Sequence, residues 1–170
     1  NELLRLHIPA IPLVHGGTAL VAVRKVQGLI VGPMHENLEE VTLPGDRLRF
    51  TQSHEPVSLW PGDESDVDTL RVTRLIYDTL VEYKTGSTDI KPSLASYWET
   101  NAERTDWTFY LRYGVKFSNG ADLDANDVVA SFAAQWDAAD PNHTGRTGDF
   151  QMFKDFFGGF INEEVQETSQ

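Results

Sequence analysis

Cysteine is absent from the 170-residue chain. The absence excludes a disulfide framework, a thiolate zinc site and a cysteine nucleophile. Long hydrophobic runs are lacking too, since the apolar stretches fall far short of the about 20 residues that a membrane-spanning helix needs. Residues 1–12 show no basic segment followed by an apolar run, the pattern of a secretory leader. The opening Asn-Glu-Leu-Leu resembles the middle of a secondary-structure element, so we expect the chain to be a piece of a longer gene product.

Positive charge is scarce. The chain has 14 Lys and Arg against 26 Asp and Glu, a net charge of −12 and an isoelectric point near 4.7. Nucleic-acid binding and docking on anionic lipid both need a basic surplus, so both are excluded. Hydrophobic residues make up 40% of the chain, enough for a buried core.

Enzyme signatures are missing as well. A phosphate loop would need a Gly-Lys-Ser/Thr ending, which residues 145–148 lack, and no Gly-x-Ser-x-Gly elbow occurs. Histidines are scattered without the spacing of metal ligands: His7, His15, His35, His54 and His143. We therefore predict that the chain is not an enzyme and holds no metal or cofactor.

Periodicity predicts mixed strands and helices. Trp107, Phe109 and Leu111 alternate with polar residues, which predicts a half-buried strand. Asp124 is a predicted N-cap for a helix that extends to about residue 138, and Asp68 for one from 69 to about 83. Residues 150–160 predict a short aromatic helix or turn. The fold class expected from this order is a mixed α/β or α+β domain.

The tryptophans fall into two groups. Trp98, Trp107 and Trp136 lie on periodic faces, which predicts that they pack in the core. Trp60 instead lies in a polar loop, residues 53–66, bounded by proline and glycine. A break at residues 44–46 (Pro-Gly-Asp) separates this loop and the following elements from the first 43 residues.

A family resemblance appears at residues 107–132, which read WTFYLRYGVKFSNGADLDANDVVASF. The aromatic strand ending in Leu-Arg, the Gly-Val-Lys-Phe step, the Asn-Gly turn and the Asp-x-Asn-Asp-Val-Val helix start resemble family 5 extracellular solute-binding proteins, the peptide/nickel type. EPVSLWPGDESD, LIYDTLVEY, IKPSLASYWE and WDAADPNHTGRTGDFQMFKDFFGGF extend the resemblance over residues 46–160.

The first 43 residues resemble the other end of the same family. IPAIPLVHGGTALVAVRKVQGLIVGPMHENLEEVTL is similar to the usual C-terminal segment, yet here it precedes the beginning. This order suggests a circular permutation with its joint at residues 44–46, or else an engineered or excised lobe. The expected organisation is therefore residues 1–43 and 47–161 in one domain, followed by a tail at 162–170.

The resemblance implies one lobe of a type II periplasmic-binding-protein fold, a mixed sheet with flanking helices. It also implies the solute-binding component of an ABC importer, which takes peptides or similar small polar solutes. Its partners would be the transporter permease and a second lobe outside this chain, and its location extracytoplasmic, with a lipid anchor on a missing N-terminal region as one option. The alternative is a structural or protein-interaction module derived from such a lobe.

Five residues are candidates for ligand contact. Trp60 could serve as a stacking floor, or pack on its own lobe. Glu55, Asp63 and Asp66 could neutralise a ligand ammonium, although loop acids are commonly only solvated. His15 ends an apolar run beside two glycines, where a structural histidine is the simpler interpretation.

Overall fold

The computed structural model of the chain describes residues 21–32, 36–45 and 47–163. Elements in chain order are β1 (Ile30–Val31), β2 (Glu36–Asn37), α1 (Val67–Thr73), β3 (Val81–Tyr83), β4 (Ile90–Pro92), β5 (Ala95–Thr100), β6 (Trp107–Leu111), α2 (Ala125–Trp136) and α3 (Gln151–Phe157). The expected mixed α/β class is confirmed. His15 and most of the predicted tail lie outside the described residues.

Two compact units make up the chain. The first comprises Asn1–Leu48 with Thr85–Thr88, and the second Arg49–Lys84 with Asp89–Gln170. In the first unit, β1 and β2 pair antiparallel. The side chain of Asn37 donates to the Thr85 hydroxyl at 2.8 Å, which in turn donates to Glu40 at 3.1 Å.

In the second unit, the strands form two antiparallel ribbons, β3–β4 and β5–β6. The predicted strand at Trp107–Leu111 is confirmed, although its first four residues are all exposed and the predicted half-burial is not met. It pairs with β5 in a register that places Trp98 opposite Phe109. An irregularity between Ala95 and Tyr97 shifts the register by one residue. Ala95 is fully buried, so the ribbon is anchored at this end.

The far end of the ribbon is open. Trp107 is 50% exposed, while Trp98 and Trp136 are half-buried. The prediction that all three pack in the core is therefore wrong for Trp107 and only partly met by the others. A two-stranded ribbon has two faces to cover, and among the described residues it gains no third strand.

Helices α2 and α3 pack through aromatic rings. Phe153 is buried and contacts Trp136 at 5.9 Å and Phe132 at 6.2 Å between ring centroids. The predicted aromatic helix is thus confirmed, although Phe156 and Phe157 remain exposed, the latter while stacked on Phe153. The aromatic segment supplies part of the core and part of the surface.

Helix α2 begins directly after Asp124, the N-cap that the sequence predicts. Asp124 accepts from the N–H of Asn126, and Asp127 accepts from the N–H of Asp124, which forms a capping box. Both carboxylates also complement the positive end of the helix dipole. The helix ends at Trp136, two residues before the predicted end.

We expect Asp124→Ala to lower the free energy of unfolding by about 1 kcal/mol, because it leaves first-turn N–H groups without a partner. Urea unfolding followed by circular dichroism measures the loss. Glu103→Ala, at an exposed acid of the turn before β6, is the matched control and should stay within about 0.5 kcal/mol of wild type. An equal loss in both variants would contradict the capping role.

Candidate functional site

The candidate loop, residues 53–66, ends in a rigid turn. Pro61–Asp63 form a single 3₁₀ turn closed by the N–H of Glu64, which donates to the carbonyl of Pro61 at 3.2 Å. Trp60 precedes the turn with extended backbone, as expected for a residue before proline. The sequence thereby places the indole at the entrance to a turn of fixed geometry.

Trp60 lies over the backbone of this turn and is half-buried. A Cβ placed on Gly62 would come within 2.7 Å of the indole Cζ2 and 3.2 Å of Cγ of Gln135. Only glycine therefore permits the indole, the turn and helix α2 to approach so closely. Trp60 as a whole is only partly buried, which is compatible with a stacking role.

Asp63 is buried and accepts four hydrogen bonds. The N–H groups of Thr147, Gly148 and Phe150 donate at 2.6, 2.8 and 2.8 Å, and the Thr147 hydroxyl donates at 2.7 Å. Burial alone would raise the pKa of the Asp63 carboxyl, but the four donors outweigh it and lower the pKa to about 2. Asp63 is thus ionised and bound within its own fold.

Glu64 is the neighbouring buried acid. Nε and Nη2 of Arg146 donate to its two carboxylate oxygens at 2.9 and 2.8 Å, a bidentate pair. The Glu64 side chain is 2% exposed, whereas that of Arg146 is 50% exposed. The guanidinium therefore neutralises the buried carboxylate and keeps one edge in solvent.

Asp66 caps helix α1. Its carboxylate accepts from the N–H of Thr69 at 2.9 Å, and hydrogen bonds from Thr69 lower the pKa of the Asp66 carboxyl. The prediction that Asp68 is the N-cap is wrong. Asp68 instead accepts from the N–H of His54 and pairs with Arg71, both at 3.1 Å.

Helix α1 is also shorter than predicted. It ends at Thr73, and the apolar residues that follow belong to a turn and to strand β3. Leu75 and Ile76 fall on a helical stripe in the sequence, yet both are more than half exposed. Their helical spacing is a coincidence. The two residues lie in a turn before a short strand, and neither a turn nor a strand has the periodicity of a helix.

The structure brings Trp60 and Asp63 together on one turn and places Asp66 two residues after Glu64. Glu55 is exposed and lies apart on the loop, and His15 is outside the described residues. Ligand contact by any of the five candidates stays a prediction, although the Asp63 and Asp66 carboxylates already have partners within the chain.

Sequence reasoning missed the turn at residues 145–150, which supplies all the donors to Asp63 and Glu64. The available signal was a single arginine between two glycines in an acidic loop. The described residues contain no cluster of His, Cys, Asp and Glu able to hold a metal, and none of their helices could span a membrane.

Acid should weaken the fold through Asp63. Its pKa is lowered from 3.8 to about 2, so its contribution is present above pH 4 and is lost as the pH falls through 2. We expect this contribution to be about 2 kcal/mol. Urea unfolding of wild type and Asp63→Asn at pH 7, 4, 3 and 2 should show the difference in stability shrinking below pH 4. The exposed Asp149→Asn is the control, and a difference independent of pH would contradict the assignment.

Residues 89–166 match the model of the bacterial extracellular solute-binding proteins, family 5 (middle region). The match begins at the end of the β3–β4 connection and includes β5, β6, α2, α3 and the turn that binds Asp63. No solved structure shows a significant match to the chain.

Curated relatives include heme-binding protein A of Haemophilus influenzae, 44% identical over 85 residues, and the dipeptide-binding protein of Escherichia coli, 39% identical over 85 residues. Each alignment covers 46% of this chain and 16% of the relative. A probable D,D-dipeptide-binding periplasmic protein of Escherichia coli is 36% identical over 94 residues, 53% of this chain and 18% of the relative.

The chain thus spans less than a fifth of the length of these relatives. The matched region contains the strand–turn–helix segment on which the sequence resemblance was based, and that resemblance is confirmed. Residues 89–166 are thus similar to the middle region of the bacterial extracellular solute-binding proteins of family 5.

Proposed function

We propose that the chain is part of the solute-binding component of an ABC importer and that its ligands are short peptides. Two of the three relatives above are named for dipeptide binding, and their identity to this chain carries the proposal. The family description places such proteins outside the cytoplasm, and we propose the same location for this one.

The candidate loop supplies the binding surface in this proposal. Trp60 offers part of an indole ring in a fixed position, and an aromatic face can pack on the apolar side chain of a peptide or on its ammonium group. Glu55, exposed on the same loop, is the acid still available to pair with that ammonium. Asp63 and Asp66 influence ligand binding indirectly in this proposal, because their hydrogen bonds within the chain determine the conformation of the loop.

A second lobe outside this chain completes the cleft in the proposed protein. A ligand on one wall alone remains largely solvated, so the affinity of the isolated chain is low. Closing the second lobe over the ligand would bury it and create the form that the permease recognises. The residues here bind and orient a solute, and no step of the proposal requires a bond to be broken.

The order of the two family segments supports a permuted chain. Residues 1–43 resemble the C-terminal end of the family, and residues 46–160 resemble its beginning. Intact mass spectrometry of the protein from its source tests this part of the proposal. A product extending upstream of Asn1 into the second lobe is expected, and a conventional gene order would contradict it.

Peptide binding should stabilise the chain. A dipeptide such as dialanine at ten times its Kd contributes about 1.4 kcal/mol, which raises Tm by about 3–5 °C. Trp60→Ala should abolish the shift at the same dipeptide concentration, whereas Trp107→Ala, at an exposed tryptophan of β6, should retain it. No shift with peptides up to their solubility limit would contradict the peptide assignment, and a shift with sugars or metal ions alone would redirect it.

A second candidate function is an interaction module derived from a binding lobe. Exposed aromatic side chains on β6 and α3, among them Trp107, Phe156 and Phe157, favour it. In this case the chain would self-associate at micromolar concentration and bind no dipeptide. Light scattering combined with calorimetry distinguishes the two functions.

A further inference from the structure

We propose that Asp63 is a positioning residue for the candidate binding surface: its carboxylate holds the turn that carries Trp60 against the turn at residues 145–150. The inference deepens the proposed function and rests on it for the role of Trp60 in binding. The positioning itself can be measured without any ligand.

The chemistry of the contact requires an ionised carboxylate. All four groups that face Asp63 are donors, and a carboxylate offers only acceptors. An amide at this place would turn its own NH₂ toward an N–H or O–H. The contact therefore selects aspartate over its closest isostere, asparagine.

The space around the carboxylate is equally selective. A Cβ on Gly145 would overlap the Asp63 side chain, so the second turn approaches as closely as a glycine allows. A glutamate would carry its carboxylate one methylene further, into the backbone of that turn. Both length and charge at position 63 are therefore fixed.

The turn at residues 145–150 has a strained backbone conformation at the point where it meets Asp63. Phe150 has φ 42°, in the left-handed region, and its side chain is fully buried. This backbone directs the N–H of Phe150 at the Asp63 carboxylate, 2.8 Å away. A bulky residue adopts such a conformation only where its surroundings compensate for the strain.

The link from Asp63 to the indole is short. Gly62 adjoins Asp63, is buried, and lies directly under the Trp60 ring and beside Gln135. Pro61 between Trp60 and Gly62 has a fixed φ, so the turn moves as one piece. Releasing the carboxylate therefore releases the support of the indole.

The test follows the fluorescence of Trp60 as the difference between each protein and its Trp60→Phe counterpart, which removes the signals of the other three tryptophans. In Asp63→Asn, we expect acrylamide quenching of this difference signal to rise about twofold as the indole gains local freedom. Asp124→Ala is the matched control: it lowers stability at a distant helix cap and should leave the quenching of Trp60 unchanged. A rise of equal size in both variants would overturn the proposal.

Rescue separates positioning from a general loss of structure. Asp63→Ala removes the carboxylate and leaves its four donors in place, and added formate should restore the wild-type quenching, whereas chloride at equal ionic strength should not. Thr147→Val is a milder variant that removes the hydroxyl, which donates to Asp63 and accepts from the N–H of Asp149, and it covers the case in which Asp63→Ala does not fold. Wild-type quenching of Trp60 in a folded Asp63→Asn protein or in Thr147→Val would overturn the proposal.

A dialanine titration then relates positioning to binding. If wild type binds dialanine, Asp63→Asn should weaken its affinity about as much as Trp60→Ala does. If wild type does not bind, the peptide proposal fails while the quenching result still decides the role of Asp63. An Asp63→Asn protein with wild-type affinity and altered quenching would overturn the link to the binding surface.

Discussion

The contact of one buried carboxylate with four donors organises the second unit of this chain. Asp63 joins a turn near the start of the unit to a turn more than 80 residues later, and Glu64 strengthens the junction through Arg146. Helix α1 begins shortly after the first of these turns, and helix α3 begins directly after the second. The small hydrophobic core, in which Phe150 is the largest fully buried side chain, adjoins the same contact.

The acidity of the chain arises partly from acids that make contacts within the fold. A net charge of −12 suggests a surface that attracts cations, yet several acids are used within the fold. Asp63 and Glu64 join two turns, Asp66 caps α1, and Asp124 and Asp127 cap α2. Counting acids therefore overestimates the charge available to a ligand, and Glu55 remains as an exposed acid of the candidate loop that takes part in neither a helix cap nor the junction of the two turns.

Local sequence signals predicted the local structure well. The alternation at Trp107–Leu111 and the acidic cap at Asp124 each depend on neighbours within four residues, and both were confirmed. The choice between Asp66 and Asp68 as a helix cap could not be made locally, because either spacing suits a cap. The contact between Asp63 and Thr147 has no local signal at all, since it depends on how distant turns meet. For the same reason the sequence nominated Trp60 and Asp63 separately and could not show that they share one turn.

The separation of Asp63 from its donors along the chain has a consequence for synthesis. A ribosome delivers the chain from its N-terminus, and the carboxylate of Asp63 has no partner in this contact until Thr147 has emerged, 84 residues later, with the last donor at Phe150, 87 residues later. Closing so long a loop is entropically unfavourable until the intervening ribbon and helix α2 have shortened the distance. The turn at Pro61–Asp63, which carries Trp60, is therefore one of the last parts of the unit to become ordered. The candidate binding surface forms only after the ribbon and helix α2 have folded.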